Sequence, residues 1–143
     1  MPADRREMGT PEEWLKRAKS NLVRAKQPKP DEAFWEDYCF DAQQAAEKAL
    51  KALLIHYNIT FRFVHDIAEL LTTLEQSGIS LPEKIRSSAE LSDYAVEARY
   101  PSPMEPVTED EYYEALEIAG DVLAWVEEII LAGSKGDKTQ DPT

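Results

Sequence analysis

Two histidines, one cysteine and a few arginines and lysines are the side chains of this 143-residue chain that could act as base, nucleophile or anion receptor. His65 is the most suggestive. It follows a connector, stands where a helix should begin and precedes Asp66. The positive end of a helix dipole disfavours charge on an imidazole, so His65 is expected to stay neutral and able to take a proton. The competing reading makes it structural, a cap or a bond to a neighbouring helix. Arg99 and Tyr100 close a helix just before Pro101. An arginine there is favoured by the dipole and can bond the last carbonyls. Alternatively its guanidinium meets a phosphate and Tyr100 stacks on a base. Arg62, His65, Arg99 and Tyr100 would together make a cationic, partly aromatic corner. Lys48 and Lys51 read as exposed helix charges or as further phosphate contacts, with Glu47 and Lys51 at helix-stabilising i,i+4 spacing.

Other chemistries lack their residues. His56 and His65 are too few for a metal site, without Cys or carboxylates at ligand spacing such as HExxH. The residue three before His65 is Arg62, so the Glu/Asp-x-x-His pairs of di-iron proteins are missing as well. Cys39 lies within an apolar helical pattern, with nothing nearby to lower its pKa. The five glycines are scattered, and none forms a phosphate-binding loop. No metal or cofactor is expected.

The elements that must position these residues read as helices throughout. The first starts at Thr10, where Thr10-Pro11-Glu12-Glu13 is a capping box with proline at the first helical position; Pro28 and Pro30 end it. The second runs from near Asp31 to about Tyr57. It carries two apolar lines, rich in alanine, and a narrow polar stripe of Asp37, Asp41, Gln44, Lys48 and Lys51, which suits a central helix. A third starts at His65 or Asp66 and stops at Gly78. A fourth starts near Pro82, with apolar positions through Ala95 and Ala98, before a proline-rich loop at residues 101–106. The fifth opens on the capping box Thr108-Glu109-Asp110-Glu111 and closes at Gly133. The expectation is an all-α, antiparallel up-and-down bundle of four to five helices over residues 10–132, between a flexible segment at 1–9 and a disordered tail at 133–143. The broad apolar faces of the second and fifth helices also predict a homodimer.

The length fits one domain that can bury a core unaided. A lone cysteine cannot form an internal bridge and fits a reducing compartment. No apolar run is long enough for a membrane span and the first residues lack a signal-peptide pattern, so a cytoplasmic protein is expected. The net charge is −12, unevenly spread. Residues 1–30 hold 8 Lys/Arg against 4 Asp/Glu, and residues 31–143 hold 8 against 24. Such an acidic body opposes general nucleic-acid binding. The basic stretch Lys16, Arg17, Lys19, Arg24, Lys26, Lys29 reads as a solvated face, or as a contact for phosphate or an acidic partner.

Three segments in order, QQAAEKALKALL at residues 43–54, HDIAELL at 65–71 and YAVEARYP at 94–101, resemble the HEPN domain (higher eukaryotes and prokaryotes nucleotide-binding). The resemblance spans residues 14–131. It implies a bundle of four or five helices, usually dimeric. Family members are often paired with a minimal nucleotidyltransferase in two-component toxin–antitoxin systems; others are ribonucleases, and some bind nucleotides without catalysis. Ribonuclease members carry an Arg followed by a His after four to six residues. Here Arg62 and His65 are separated by two, Arg99 has no histidine after it, and His56 has no arginine at the required distance before it. The expectation is therefore a non-catalytic, dimeric module that binds a nucleotide or a nucleotidyltransferase. The alternative is a metal-independent ribonuclease toxin, with RNA as its substrate, in which His65 and Arg99 meet in space.

Overall fold

The computed structural model describes residues 9–94 and 106–140, with residues 133–140 described as backbone. Helix α1 (Pro11–Ala25) begins on the expected capping box. Thr10 Oγ1 accepts from the Glu13 amide at 3.1 Å, and the Glu13 carboxylate accepts from the Thr10 amide at 3.3 Å. Two of the orphan amides of the first turn are thereby satisfied. The helix buries Leu15, Ala18, Asn21 and Ala25.

Helix α2 (Trp35–His56) starts later than the sequence suggests, on Phe34, which offers no side-chain cap. Asp31 instead falls in a turn closed by the Ala33 amide on the Pro30 carbonyl at 3.0 Å. Lys29 Nζ donates to the Ala33 carbonyl at 2.9 Å and holds that turn in place. Once begun, α2 is covered on almost every side, and Asp37 is its one exposed residue. Ala42, Ala45, Ala46 and Ala49 are fully buried between α1 and the last helix, where small side chains let neighbours approach closely. Asn58 ends α2 in the left-handed region at φ 59°, and the Ile59 amide closes back on the Leu54 carbonyl at 2.9 Å.

Helix α3 (Ile67–Gln76) is capped by Asp66, as the pattern implies, and Gly78 stops it at φ 94°. The next segment departs from expectation. In place of one long helix from Pro82 there is a single turn, α4 (Glu83–Arg86), followed by a 3-10 segment, Ser87–Ser92. Ser87 and Ser88 donate to the carbonyls of Lys84 and Ile85. Such back-bonding competes with the α-helical ladder. Ser92 is put to use, its Oγ accepting from the Ile67 amide at 2.8 Å and capping α3. Ala95 and Ala98 lie outside the described residues.

Helix α5 (Glu109–Gln140) opens on the second capping box, with Thr108 Oγ1 accepting from the Glu111 amide at 3.1 Å. Its backbone continues past Gly133, where the sequence reading closes it. Glycine in an exposed helix costs about 1 kcal/mol relative to alanine, which weakens a helix without ending it. The core gathers Leu50, Leu53 and Leu54 of α2, Ile67, Leu70 and Leu74 of α3, Ile85, Leu91, and Val122, Val126 and Ile130 of α5. This is the expected all-α antiparallel bundle, with α2 as its axis. Among the described residues no helix is long and apolar enough to cross a membrane.

Candidate functional site

A polar line runs through the buried flank of α2. Gln43, Glu47 and Lys51 recur every four residues, hence on one face, and all three are buried. The sequence reading placed Lys51 on an exposed stripe, and the structure corrects this. Trp14 of α1 and Phe63 of the α2–α3 connector fold over it, with Lys51 Nζ 5.9 Å and 5.4 Å from their ring centres. An ammonium in that position needs a counter-charge, and Glu47 Oε2 supplies it at 2.8 Å. Gln43 Nε2 donates to Glu47 Oε1 at 3.0 Å. Gln44 Nε2 in turn donates to Gln43 Oε1 at 2.7 Å.

His65 completes the group. Its Nδ1 lies 3.0 Å and 3.2 Å from the two Glu47 oxygens. A carboxylate can only accept, so Nδ1 carries a hydrogen, and Nε2, which has no hydrogen bond among the described residues, belongs to a ring whose side chain is 62 % exposed. Burial would raise the Glu47 pKa; the hydrogen bond and charge of Lys51, then the bonds of Gln43 and His65, outweigh it and hold the carboxylate below its ordinary value. Glu47 is thus the hub of the cluster, and the sequence reading missed it as a site residue. The signal was present: a Gln-x3-Glu-x3-Lys line embedded among alanines and leucines cannot face water along its whole length.

The other expected residues are dispersed. Arg62 binds Glu69 bidentately, Nε to Oε2 at 2.9 Å and Nη2 to Oε1 at 2.5 Å. Lys48 sits one turn away towards α1, where its Nζ donates to Asn21 Oδ1 at 2.7 Å. Arg99 and Tyr100 lie outside the described residues. His65 and Lys51 are therefore brought together through Glu47, whereas Arg62 and Lys48 each have other partners.

Two further features lie elsewhere. A cavity of about 210 Å³ between the 3-10 segment and α5 is lined by Glu90, Asp93, Tyr94, Glu111 and Glu114. Burial, and then the neighbouring Glu114, raises the Glu90 pKa. Cys39 is fully buried, and burial followed by Glu111 and Glu36 pushes its thiol up to about 12. It is a packing residue without nucleophilic character at neutral pH. Among the described residues no group of three or more His, Cys, Asp or Glu is placed to hold a metal ion.

Comparison with known proteins bears on the fold as a whole. The chain is similar in structure to TT1696 from Thermus thermophilus, at 35% identity and a TM-score of 0.72, over 82% of this chain and 96% of that one. It is also similar to ST0689, an archaeal HEPN homologue, at 32% identity and a TM-score of 0.69, over 85% of this chain and 98% of that one. No curated protein sequence matches it. The HEPN domain family profile matches residues 11–129, nearly the whole bundle, and by that match the chain belongs to the HEPN domain family.

Proposed function

We propose that this chain is a non-catalytic, cytoplasmic HEPN module that binds a nucleotide at the Glu47–Lys51–His65 corner. It acts as a homodimer beside a minimal nucleotidyltransferase, in the manner of a toxin–antitoxin pair. The observation that carries the reading is the commitment of the local cations. Lys51 is held by Glu47 and Arg62 by Glu69, so neither charge is free to stabilise a phosphorane. What the corner does offer is an aromatic face and a hydrogen-bonding edge. The Phe63 ring is 51 % exposed and lies 6.4 Å from that of Trp14, and His65 Nε2 has no hydrogen bond among the described residues. A stacked base with one polar contact suits that chemistry.

Calorimetry with ATP, GTP and UTP tests it. Binding should appear for at least one of them and weaken about tenfold in Phe63→Ala, the scale of one lost base stack. Silence with all three sinks the nucleotide reading. The partner half predicts that a nucleotidyltransferase encoded beside this protein co-purifies with it as a stoichiometric complex.

One observation favours a second reading, an endoribonuclease. A histidine whose Nδ1 is oriented by a buried carboxylate and whose Nε2 is unbonded among the described residues has the form of a general base. Arg99 would have to supply the missing cation. Cleavage of RNA by the purified protein, lost in His65→Ala, decides for this reading.

A further inference from the structure

The chain has two histidines, and the structure treats them differently. His56, at the end of α2, has its ring edge-on to Tyr57 at 5.0 Å, and neither of its nitrogens has a hydrogen bond among the described residues. His65 has one nitrogen fixed. Its Nδ1 lies 3.0 Å and 3.2 Å from the two oxygens of Glu47, which Lys51 and Gln43 hold in turn. Nε2 has no hydrogen bond among the described residues, and the side chain is 62 % exposed. A hydrogen on Nδ1 leaves the free electron pair of a neutral imidazole on Nε2. The buried carboxylate thereby fixes which nitrogen of an exposed ring is the nucleophile.

Bare carboxylates would repel an anionic reagent, and those of this corner are not bare. Lys51 neutralises Glu47 at 2.8 Å, and Arg62 neutralises Glu69. Asp66 caps α3, its Oδ1 accepting from the Glu69 amide at 3.4 Å. His65 stands two residues before the first residue of α3, a helix of 10 residues whose positive dipole end favours added negative charge. The same pairings restrict the reagent. With Lys51 and Arg62 committed, neither is free to answer the charge that builds on a departing nucleoside diphosphate. A phosphoryl donor has to carry a leaving group that departs unaided, as ammonia leaves a phosphoramidate or a carboxylate leaves an acyl phosphate.

We infer that His65 is a phosphoryl-acceptor site, taking a phosphoryl group on Nε2 from a phosphoramidate or an acyl phosphate. The Nε2 electron pair forms the new N–P bond. The bond from phosphorus to the leaving group breaks, and its electron pair departs with ammonia, from an N-protonated phosphoramidate, or with the carboxylate of an acyl phosphate. Nε2 carries no hydrogen, so no proton has to be taken from it. The ring becomes a phosphorylated imidazolium, whose positive charge faces Glu47 through the Nδ1 hydrogen. Glu47 is therefore a positioning residue, which sets the tautomer and stabilises the charge that forms. The site shares His65 with the nucleotide reading but does not rest on it, because it needs neither a bound base nor the aromatic face.

Incubation of the full chain with phosphoramidate, and separately with acetyl phosphate, tests it by intact-mass spectrometry and peptide mapping. At least one donor should add a single phosphoryl group, at His65, and the donor that serves identifies the source. The product should be lost in mild acid and survive alkali, as a phosphohistidine does. His65→Gln should remove the label and His56→Gln should keep it, while ATP alone should give none. Glu47→Leu with Lys51→Met exchanges both charges together, and circular dichroism confirms its fold. That variant should react about tenfold more slowly, the scale of a lost orienting partner. It should also spread the phosphoryl group over both ring nitrogens, a change that NMR of the imidazole resolves and that a merely structural role for Glu47 would not produce. No label from either donor, labelling of His56 as fast as His65, or labelling by ATP as readily as by the small donors overturns the inference. So does a folded double variant that still reacts at Nε2 alone and at the parent rate. Nucleotide binding is read separately by calorimetry, so failure of either reading leaves the other standing.

Discussion

Glu47 holds two partners of different kinds on one buried carboxylate, an ammonium it neutralises and an imidazole it orients. Removing Lys51 alone leaves that carboxylate desolvated and short of a counter-charge. Lys51→Met should therefore lower stability by about 3–5 kcal/mol, read as a shift of the urea midpoint. Replacing both partners, Glu47→Leu with Lys51→Met, should recover most of the loss, because the desolvation penalty disappears with the charges. The sign of the pH dependence follows from the same hub. Glu47 has a lowered pKa in the folded state, so its contribution is complete above the unfolded carboxylate value near 4.5 and is lost as pH falls through the lower folded value. Acid denaturation curves of the wild type should be steeper below pH 4.5 than those of Glu47→Gln, and equal slopes would show that the hub carries none of the acid sensitivity.

At the scale of elements, the helix stops divide by residue type. Gly78 announces the end of α3 in the sequence, while Asn58 takes the same left-handed conformation at the end of α2 without announcing it. Asn58→Gly should be neutral or slightly stabilising, and Asn58→Val should cost about 1–2 kcal/mol by forcing a branched side chain to positive φ. Thermal melts of the two variants should bracket the parent. The two capping boxes and the all-helical period were legible because they are local: a threonine and a glutamate three apart decide the matter between themselves. The burial of Lys51 was not legible, because it depends on Trp14 and Phe63 arriving from 37 residues before and 12 after. The 3-10 segment was missed because apolar spacing over residues 85–94 fits a helix. It was the back-bonding of Ser87 and Ser88 that changed the ladder. Among the site residues, His65 stands one residue before the Asp66 cap of α3 and bonds to a neighbouring helix. The identity of that partner, a glutamate 18 residues earlier, lay beyond any local signal.

For the whole molecule, the central position of α2 bears on self-association. Its two apolar lines, which made it a dimer surface in the sequence reading, are consumed by α1, α3 and α5 of the same chain. Pairing of two copies in the proposed dimer then falls to α5, where Tyr113 and Leu131 are 57 % and 49 % exposed. Sedimentation should give a dimer that Tyr113→Glu with Leu131→Glu converts to a folded monomer, and a monomeric parent would remove the dimer from the proposal. The aromatic joint between the ends of the bundle has a further consequence. Tyr112 opens α5, stacks on Trp35 at 4.5 Å, and donates its hydroxyl at 2.6 Å to the carbonyl of Ala25, 87 positions earlier in the chain. That contact forms only when the last helix returns to the first. In a chain whose other two tryptophans are replaced by phenylalanine, Trp35 emission accordingly reports when α5 closes back on α1 during refolding.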